Sequence, residues 1–181
     1  MKVTKIIKTG EIESFRVEPW RYSEQRAKFQ RDHGVVLPTL KGLERIGDIE
    51  ELRILTAHVC IRVETDKGRW YQWEFYPGWI WDLASVPRWV RSLIDNDDIF
   101  LQEGAIVHDS NYTGHFLGDD LPGLDLTNEL IMRMVQYRGK RVRGRVVHIA
   151  VDSIYGRSLY WKKTNRAPET LRFVKFSSGI I

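Results

Sequence analysis

The residues best suited to chemistry collect between Trp81 and Tyr112, where Asp82, Ser85, His108, Asp109 and Tyr112 stand in an otherwise apolar stretch. The two segments read Asp82-Leu83-Ala84-Ser85-Val86-Pro87 and His108-Asp109-Ser110-Asn111-Tyr112. A histidine with carboxylates and a phenol nearby is the raw material of hydrolysis: the imidazole takes a proton from water, a carboxylate holds a cation, and the tyrosine orients the site. Asp109 and Asp82 are the candidate ligands for such a divalent cation, calcium among them. If the chain is an enzyme, His108, Asp109, Tyr112, Asp82 and Ser85 carry the catalysis. Each also has an explanation in folding alone. Asp82 lies just before a helix start at Ser85 and Pro87, where its carboxylate can cap backbone donors as readily as face a substrate. Gly104, His108 and Tyr112 recur every four residues and share a helical face, with the glycine leaving room above the imidazole. Asp109 lies about 100° round the same helix, too far to sit beside His108 as its orienting partner.

The elements that position these residues follow from periodicity. Leu55, Ala57, Val59, Ile61 and Val63 alternate with polar residues, Asp66-Lys67-Gly68 marks a turn, and Tyr71, Trp73 and Phe75 alternate on the way back. This predicts a β-hairpin from about Arg53 to Tyr76, with His58 half-exposed on the more polar face of its first strand. A short helix over Arg88 to Ile94 follows, then a helix capped by Asp98 that ends at Gly114, and a loop from His115 to Gly123. A third helix, capped by Asp125 or Thr127, buries Leu126, Leu130, Ile131, Met134 and Val135 and stops at Gly139. A fourth, Val142 to Tyr155, buries Val142, Val146, Ile149, Ala150 and Ser153 and turns Arg141, Arg145, His148 and Asp152 outward. Arg157 to Lys163 forms a short basic helix.

Residues 1–50 read differently. Val3 to Ile7 can form an edge strand, and Ser23 can cap a polar helix over Glu24 to His33 that Gly34 closes. Ala27 and Phe29 do not share a face of that helix, so the region is expected to be an arm or peripheral layer. The tail from residue 164 to 181 is either an added strand or an extended arm. The expected organisation is an N-terminal arm or layer (1–50), a core (51–163) and a C-terminal tail (164–181). The expected fold class is α+β, a small antiparallel hairpin or sheet packed on a bundle of about four helices, with extended N- and C-terminal arms.

The 181 residues, 43% of them apolar, suffice to bury a core without metal or disulfide support. Cys60 is the only cysteine, which excludes an internal disulfide framework and a cysteine-based zinc site; it reads as a small hydrophobe in a sheet. No apolar run has the length of a signal-peptide core or a membrane span, and synthesis and assembly in a bacterial-type cytoplasm are expected. Charge is strongly partitioned. Residues 95–129 hold nine acidic and no Lys or Arg side chains, whereas residues 133–166 hold ten basic side chains against Asp152 alone. The two segments can pair with each other, dock partners, or be two solvated faces. The cluster Arg138, Lys140, Arg141, Arg143 and Arg145 is the candidate nucleic-acid surface.

The order of motifs, a strand pair, Gly-aromatic-x-x-Asp-Leu-Ala-Ser-Val-Pro, a helix ending in His-Asp-x-x-Tyr, and an Arg-rich helix ending in Gly, resembles the phage-associated domain-of-unknown-function family thirteen fifty-three. Gly78, Asp82 to Pro87, His108-Asp109, Tyr112 and Gly156 carry the resemblance, which spans roughly Leu52 to Trp161. It implies a bacteriophage source, among structural or lysis genes, with no settled activity. Two positions depart from the family pattern: Trp81 stands where Thr is usual, and Thr127-Asn128 where an Ala-Asp pair is usual. The second departure removes a carboxylate able to bind metal or orient a base. The His-Asp-x-x-Tyr spacing also looks like that of secreted phospholipases A2, where the histidine activates water and the aspartate binds calcium, but their disulfides and glycine-rich calcium loop are missing here. The expectation is a virion-associated structural protein of tail, baseplate or neck. It would contact other phage structural proteins, or copies of itself, through arms and tryptophans, first in the host cytoplasm and then in the virion. The alternatives are a cell-envelope hydrolase using His108 as base with an Asp-bound cation, and a nucleic-acid packaging or ejection factor.

Overall fold

Alternating apolar residues build the central hairpin. In the computed structural model, which describes residues 1–82, 99–113, 124–151, 170 and 172–181, β4 (Val59–Thr65) and β5 (Arg69–Phe75) pair antiparallel, with Val59 opposite Phe75, Ile61 opposite Trp73 and Val63 opposite Tyr71. All six side chains are buried on one face. Gly68, at φ 67°, closes the turn by donating its N–H to the Thr65 carbonyl at 3.1 Å. Cys60 lies on the opposite, half-buried face across from Glu74. Burial, and then the Glu74 charge, push its thiol pKa up despite Arg62, so it stays protonated and unreactive at neutral pH.

Two further strands flank the hairpin, β1 (Val3–Thr9) against β4 and β7 (Val174–Ile180) against β5, giving the order β1-β4-β5-β7. Where arms are expected, both ends of the chain therefore pair into the main sheet. Each contributes the edge strand that its alternating residues also allow, and hydrogen bonds cross the expected boundaries near residues 50 and 163. A second antiparallel sheet, β2-β3-β6, is formed by Ser14–Arg16, Leu52–Leu55 and Ile80–Asp82. Leu55 thus belongs to a different strand from Val59. The alternation runs without a break from Leu55 to Val63, but the chain changes sheets at Thr56 to His58, where the Thr56 N–H donates to the Glu13 carbonyl. His58 is exposed against the Tyr76 ring.

Three long helices, α3 (Ile99–Thr113), α4 (Leu124–Tyr137) and α5 (Arg141–Val151), pack one on the next, with α4 also against β1 and α3 against β6. Their apolar residues, including Ala105, Ile106, Leu130, Ile131 and Val147, join the buried face of the large sheet in one core. Together with α1 (Tyr22–His33) and α2 (Leu40–Leu43), five α-helices accompany the two sheets among the described residues, and the class is α+β. None of the described helices is long and apolar enough to cross a membrane. The expected helix 88–94, the Asp98 cap, the stop at Gly114, the loop 115–123 and the helix 157–163 lie outside the described residues.

Three local expectations are corrected. On α4 neither Asp125 nor Thr127 is the cap, because the helix already begins at Leu124; its buried residues Leu130, Ile131, Met134 and Val135 and its end at Gly139 (φ 84°) are as expected. On α5 the buried face is Gly144 and Val147, while Val142 and Ile149 are 77% and 63% exposed. A Cβ at Gly144 would lie 2.8 Å from the Met132 carbonyl oxygen and 2.6 Å from Gln136 Cγ, so glycine sets the face that approaches α4. On α1, Tyr22 and Phe29, seven apart, share the buried side, and no side chain caps the helix start. They sit in a second core with Val17, Leu37, Leu43, Leu52, Ile54 and Ile80, which fastens residues 15–54 to the small sheet.

Tyr22 is 2% exposed and its hydroxyl donates to the Pro38 carbonyl at 2.9 Å. Burial, against a smaller opposing effect of Arg26, pushes its phenol from 10.0 up to about 12. A folded pKa above the unfolded one means a contribution present below pH 10 and lost as pH rises through 12, about 2–3 kcal/mol for a shift of this size. Urea midpoints should fall across that window. Tyr22→Phe should flatten the fall while costing about 1 kcal/mol at neutral pH for the lost bond.

Candidate functional site

Helix α3 is buried at every position from Gln102 to Asn111, and this sequence is polar at six of those ten positions. Four of these polar side chains bind as follows. The Asp109 carboxylate accepts the backbone N–H of Asp82 through Oδ2 at 3.0 Å, fixing the end of β6 to the middle of α3. His108 Nε2 lies 3.2 Å from Asn128 Oδ1 on α4. Asn111 joins three elements: it accepts the Trp73 indole N–H from β5 at 3.1 Å and donates to Thr127 Oγ1 on α4 at 3.4 Å. Ser110 closes on its own helix, donating to the Val107 carbonyl at 2.7 Å.

Of the five expected catalytic residues, the structure brings three together: Asp82, His108 and Asp109. Ser85 and the side chain of Tyr112 lie outside the described residues. His108 Nδ1 is 3.6 Å from Asp109 Oδ1, so the two neighbours do approach, contrary to the expectation from their angular separation. In the tautomer that carries its proton on Nε2, the imidazole donates to Asn128 and turns its other nitrogen to Asp109. The room above the imidazole is not supplied by Gly104. A Cβ there would meet Ile131 Cγ1 at 2.9 Å, so this glycine serves the close packing of α3 on α4.

Access decides what this arrangement can do. His108 is 2% exposed, Asp109 4% and Asp82 8%. A general base needs a ring nitrogen within reach of a substrate-bound or attacking water, and here one faces an amide and the other a carboxylate. A cleft near Arg141 and another beside α1 are lined by other residues. For a cation, Asp82 and Asp109 bring two carboxylates where calcium takes six to eight oxygens, and one Asp109 oxygen already holds an amide N–H. Among the described residues no group of three His, Cys, Asp or Glu side chains is placed to hold a metal ion. Asp82 and Asp109 by themselves do not make a calcium centre.

Sequence reasoning missed the residues that do the bridging. Asn111 lies inside the His-Asp-x-x-Tyr segment, three residues beyond His108 on the same face, and was legible as a polar residue on a helix with no solvent side. Glu103 is 3% exposed and accepts from Lys8 Nζ of β1 and Arg138 Nε at the end of α4, both at 3.3 Å. Lys8 also pairs with Glu11 at 2.9 Å. Burial alone would lower the Lys8 pKa, but its bonds to Glu11 and Glu103 outweigh that and hold it above the ordinary lysine value. This places Arg138 in an internal ion pair and separates it from the surface cluster with which it was grouped. Lys140 is half-buried, Arg141 and Arg145 are exposed, and the Arg143 side chain lies outside the described residues.

Residues 56–151 match the model of a family described as Protein of unknown function (DUF1353), a span that contains β4 to α5 and every candidate site residue. No curated protein and no solved structure matches the chain.

Asn111 offers the cleanest test of the network. Asn111→Leu should cost about 1–3 kcal/mol, because it strands the buried Trp73 indole N–H. A double-mutant cycle with Trp73→Phe, read by urea denaturation, should return a coupling near 1 kcal/mol. Simple additivity would mean that this bond contributes nothing.

Proposed function

We propose, for a chain that belongs to the DUF1353 family of proteins of unknown function, a non-catalytic role as a structural protein of a bacteriophage particle, a tail, baseplate or neck component that acts through protein contacts. The observation that carries this reading is the burial of the His108-Asp109-Asp82 group. Its polar atoms hold a strand end and two helices together, and all three side chains are less than a tenth exposed. A buried polar network of this kind specifies one arrangement of the elements around it. Asn128 strengthens the reading: a carboxamide beside the imidazole positions the ring without lending it the negative charge that an aspartate would supply.

The surface supports contact-making. Trp20 is 79% exposed with Arg21 stacked over it at 5.4 Å, and Val142, Ile180 and Ile181 are exposed as well. Aromatic and arginine side chains are favoured interface anchors. The outer strand β7 ends in the exposed Ile180, followed by Ile181, where a neighbouring subunit or a second copy could add. In this reading the chain is assembled in the host cytoplasm and then retained in the virion.

Particles purified from the producing phage should contain the chain at a fixed, stoichiometric copy number. His108→Ala should lower stability by about 2–4 kcal/mol, through the lost packing and the stranded Asn128 amide, and reduce incorporation into particles. Purified wild-type protein should hydrolyse no lipid, glycan or peptide, with or without calcium. Hydrolysis that disappears in a still-folded His108→Ala protein would overturn the structural reading.

A further inference from the structure

Apart from the buried network, a cleft of about 440 Å³ lies between the start of β1 and the α4–α5 pair, lined by Lys2, Arg133, Gln136, Tyr137, Arg141 and Arg145 among others. Four of its side chains are cationic, and no carboxylate is among the described residues that line it. Arg133 is steadied at the wall by Glu129 at 2.7 Å and by Gln136 at 3.4 Å. Arg141 and Arg145 are one turn apart on α5, exposed, and without a carboxylate partner among the described residues. Arg141 also opens an eleven-residue helix with no acidic residue in its first turn, and that end of a helix favours an anion.

We propose that this cleft binds a nucleotide unit, with its phosphate on Arg141 and Arg145 and its base against Tyr137. The guanidinium fork matches phosphate oxygens in a way that a lysine does not. Inorganic phosphate would leave most of the cleft unfilled, since pockets of a few hundred Å³ suit ligands of nucleotide size and above. Tyr137 is 47% exposed, at the rim of the same cleft, and an aromatic ring beside paired arginines is the arrangement that takes a base and its phosphate together. The nucleotide can come from single-stranded nucleic acid or be free; the chemistry of recognition is shared. The site is separate from the buried network and does not depend on the structural reading above.

Fluorescence anisotropy of a labelled oligothymidylate with the full-length protein tests this, with thymidine monophosphate as competitor. Binding should weaken with salt, with a log–log slope of about −1.4 for two phosphate contacts on a single strand. The double variant Arg141→Ala/Arg145→Ala should bind at least tenfold more weakly, and Tyr137→Ala roughly tenfold more weakly. All three side chains are exposed, so the variants should keep the wild-type thermal midpoint. Competition by the mononucleotide at equal concentration assigns the cleft to a free nucleotide, and lack of competition assigns it to a strand. No binding at low salt, binding insensitive to salt, or binding unchanged in the folded double variant overturns the proposal.

Discussion

The carboxylate of Asp109, accepting the backbone N–H of Asp82, ties the two halves of the structure to each other. On one side of that bond is β6, whose partner β3 also carries β2 and the second core around Tyr22 and Phe29. On the other is α3, which holds α4 and, through it, α5. A carboxylate taken out of water is costly unless it is paired or bonded, and a backbone amide at a strand end needs an acceptor. Each group resolves the other's cost. Because α3 has no solvent side along its middle, the same demand falls on His108, Ser110 and Asn111. Their partners come from α4, from β5 and from the helix itself.

Glu103 extends this principle to the chain's beginning. It is as deeply buried as the rest of α3, and it draws Lys8 from β1 and Arg138 from the end of α4. The edge strand is thereby fixed twice, by its ladder to β4 and by an ion pair to the helical layer. Breaking one partner of such a buried pair is expensive even where the intact pair adds little net stability. Its effect is to set register and placement, which is what a short N-terminal strand at a sheet edge requires.

Legibility in the sequence followed the range of the interaction. The β4–β5 hairpin, the Gly139 stop and the apolar face of α4 were readable because their signals are local: alternation, a turn, a helical period. Asp82, His108 and Asp109 stood out in the sequence as polar residues in an apolar stretch and lie in contact with one another, and Asn128 falls against the imidazole. What escaped was what depends on a distant neighbour. Gly144 has no side chain to count, so the apolar residues Val142 and Ile149 pointed to the wrong face of α5. Tyr22 and Phe29 are too far apart for a window that looks for neighbours at three and four residues. Lys8 resembled any surface lysine until the strand placed it beside Glu103.

The division of charge along the sequence acquires a physical meaning from these contacts. Among the described residues, Arg133 and Arg138 of the 133–166 segment pair with Glu129 and Glu103 of the acidic segment, so part of the asymmetry is consumed inside the helical layer. Internal pairing does not reach Arg141 and Arg145, which lie beyond the Gly139 turn on a helix whose buried face is small and apolar. The turn at Gly139 therefore separates two uses of arginine. Before it, Arg138 anchors α4 to α3 while Arg133 pairs along its own helix; after it, a one-turn spacing on an exposed face presents two guanidinium groups together with Tyr137. The same run of positive charge serves cohesion on one side of a glycine and recognition on the other.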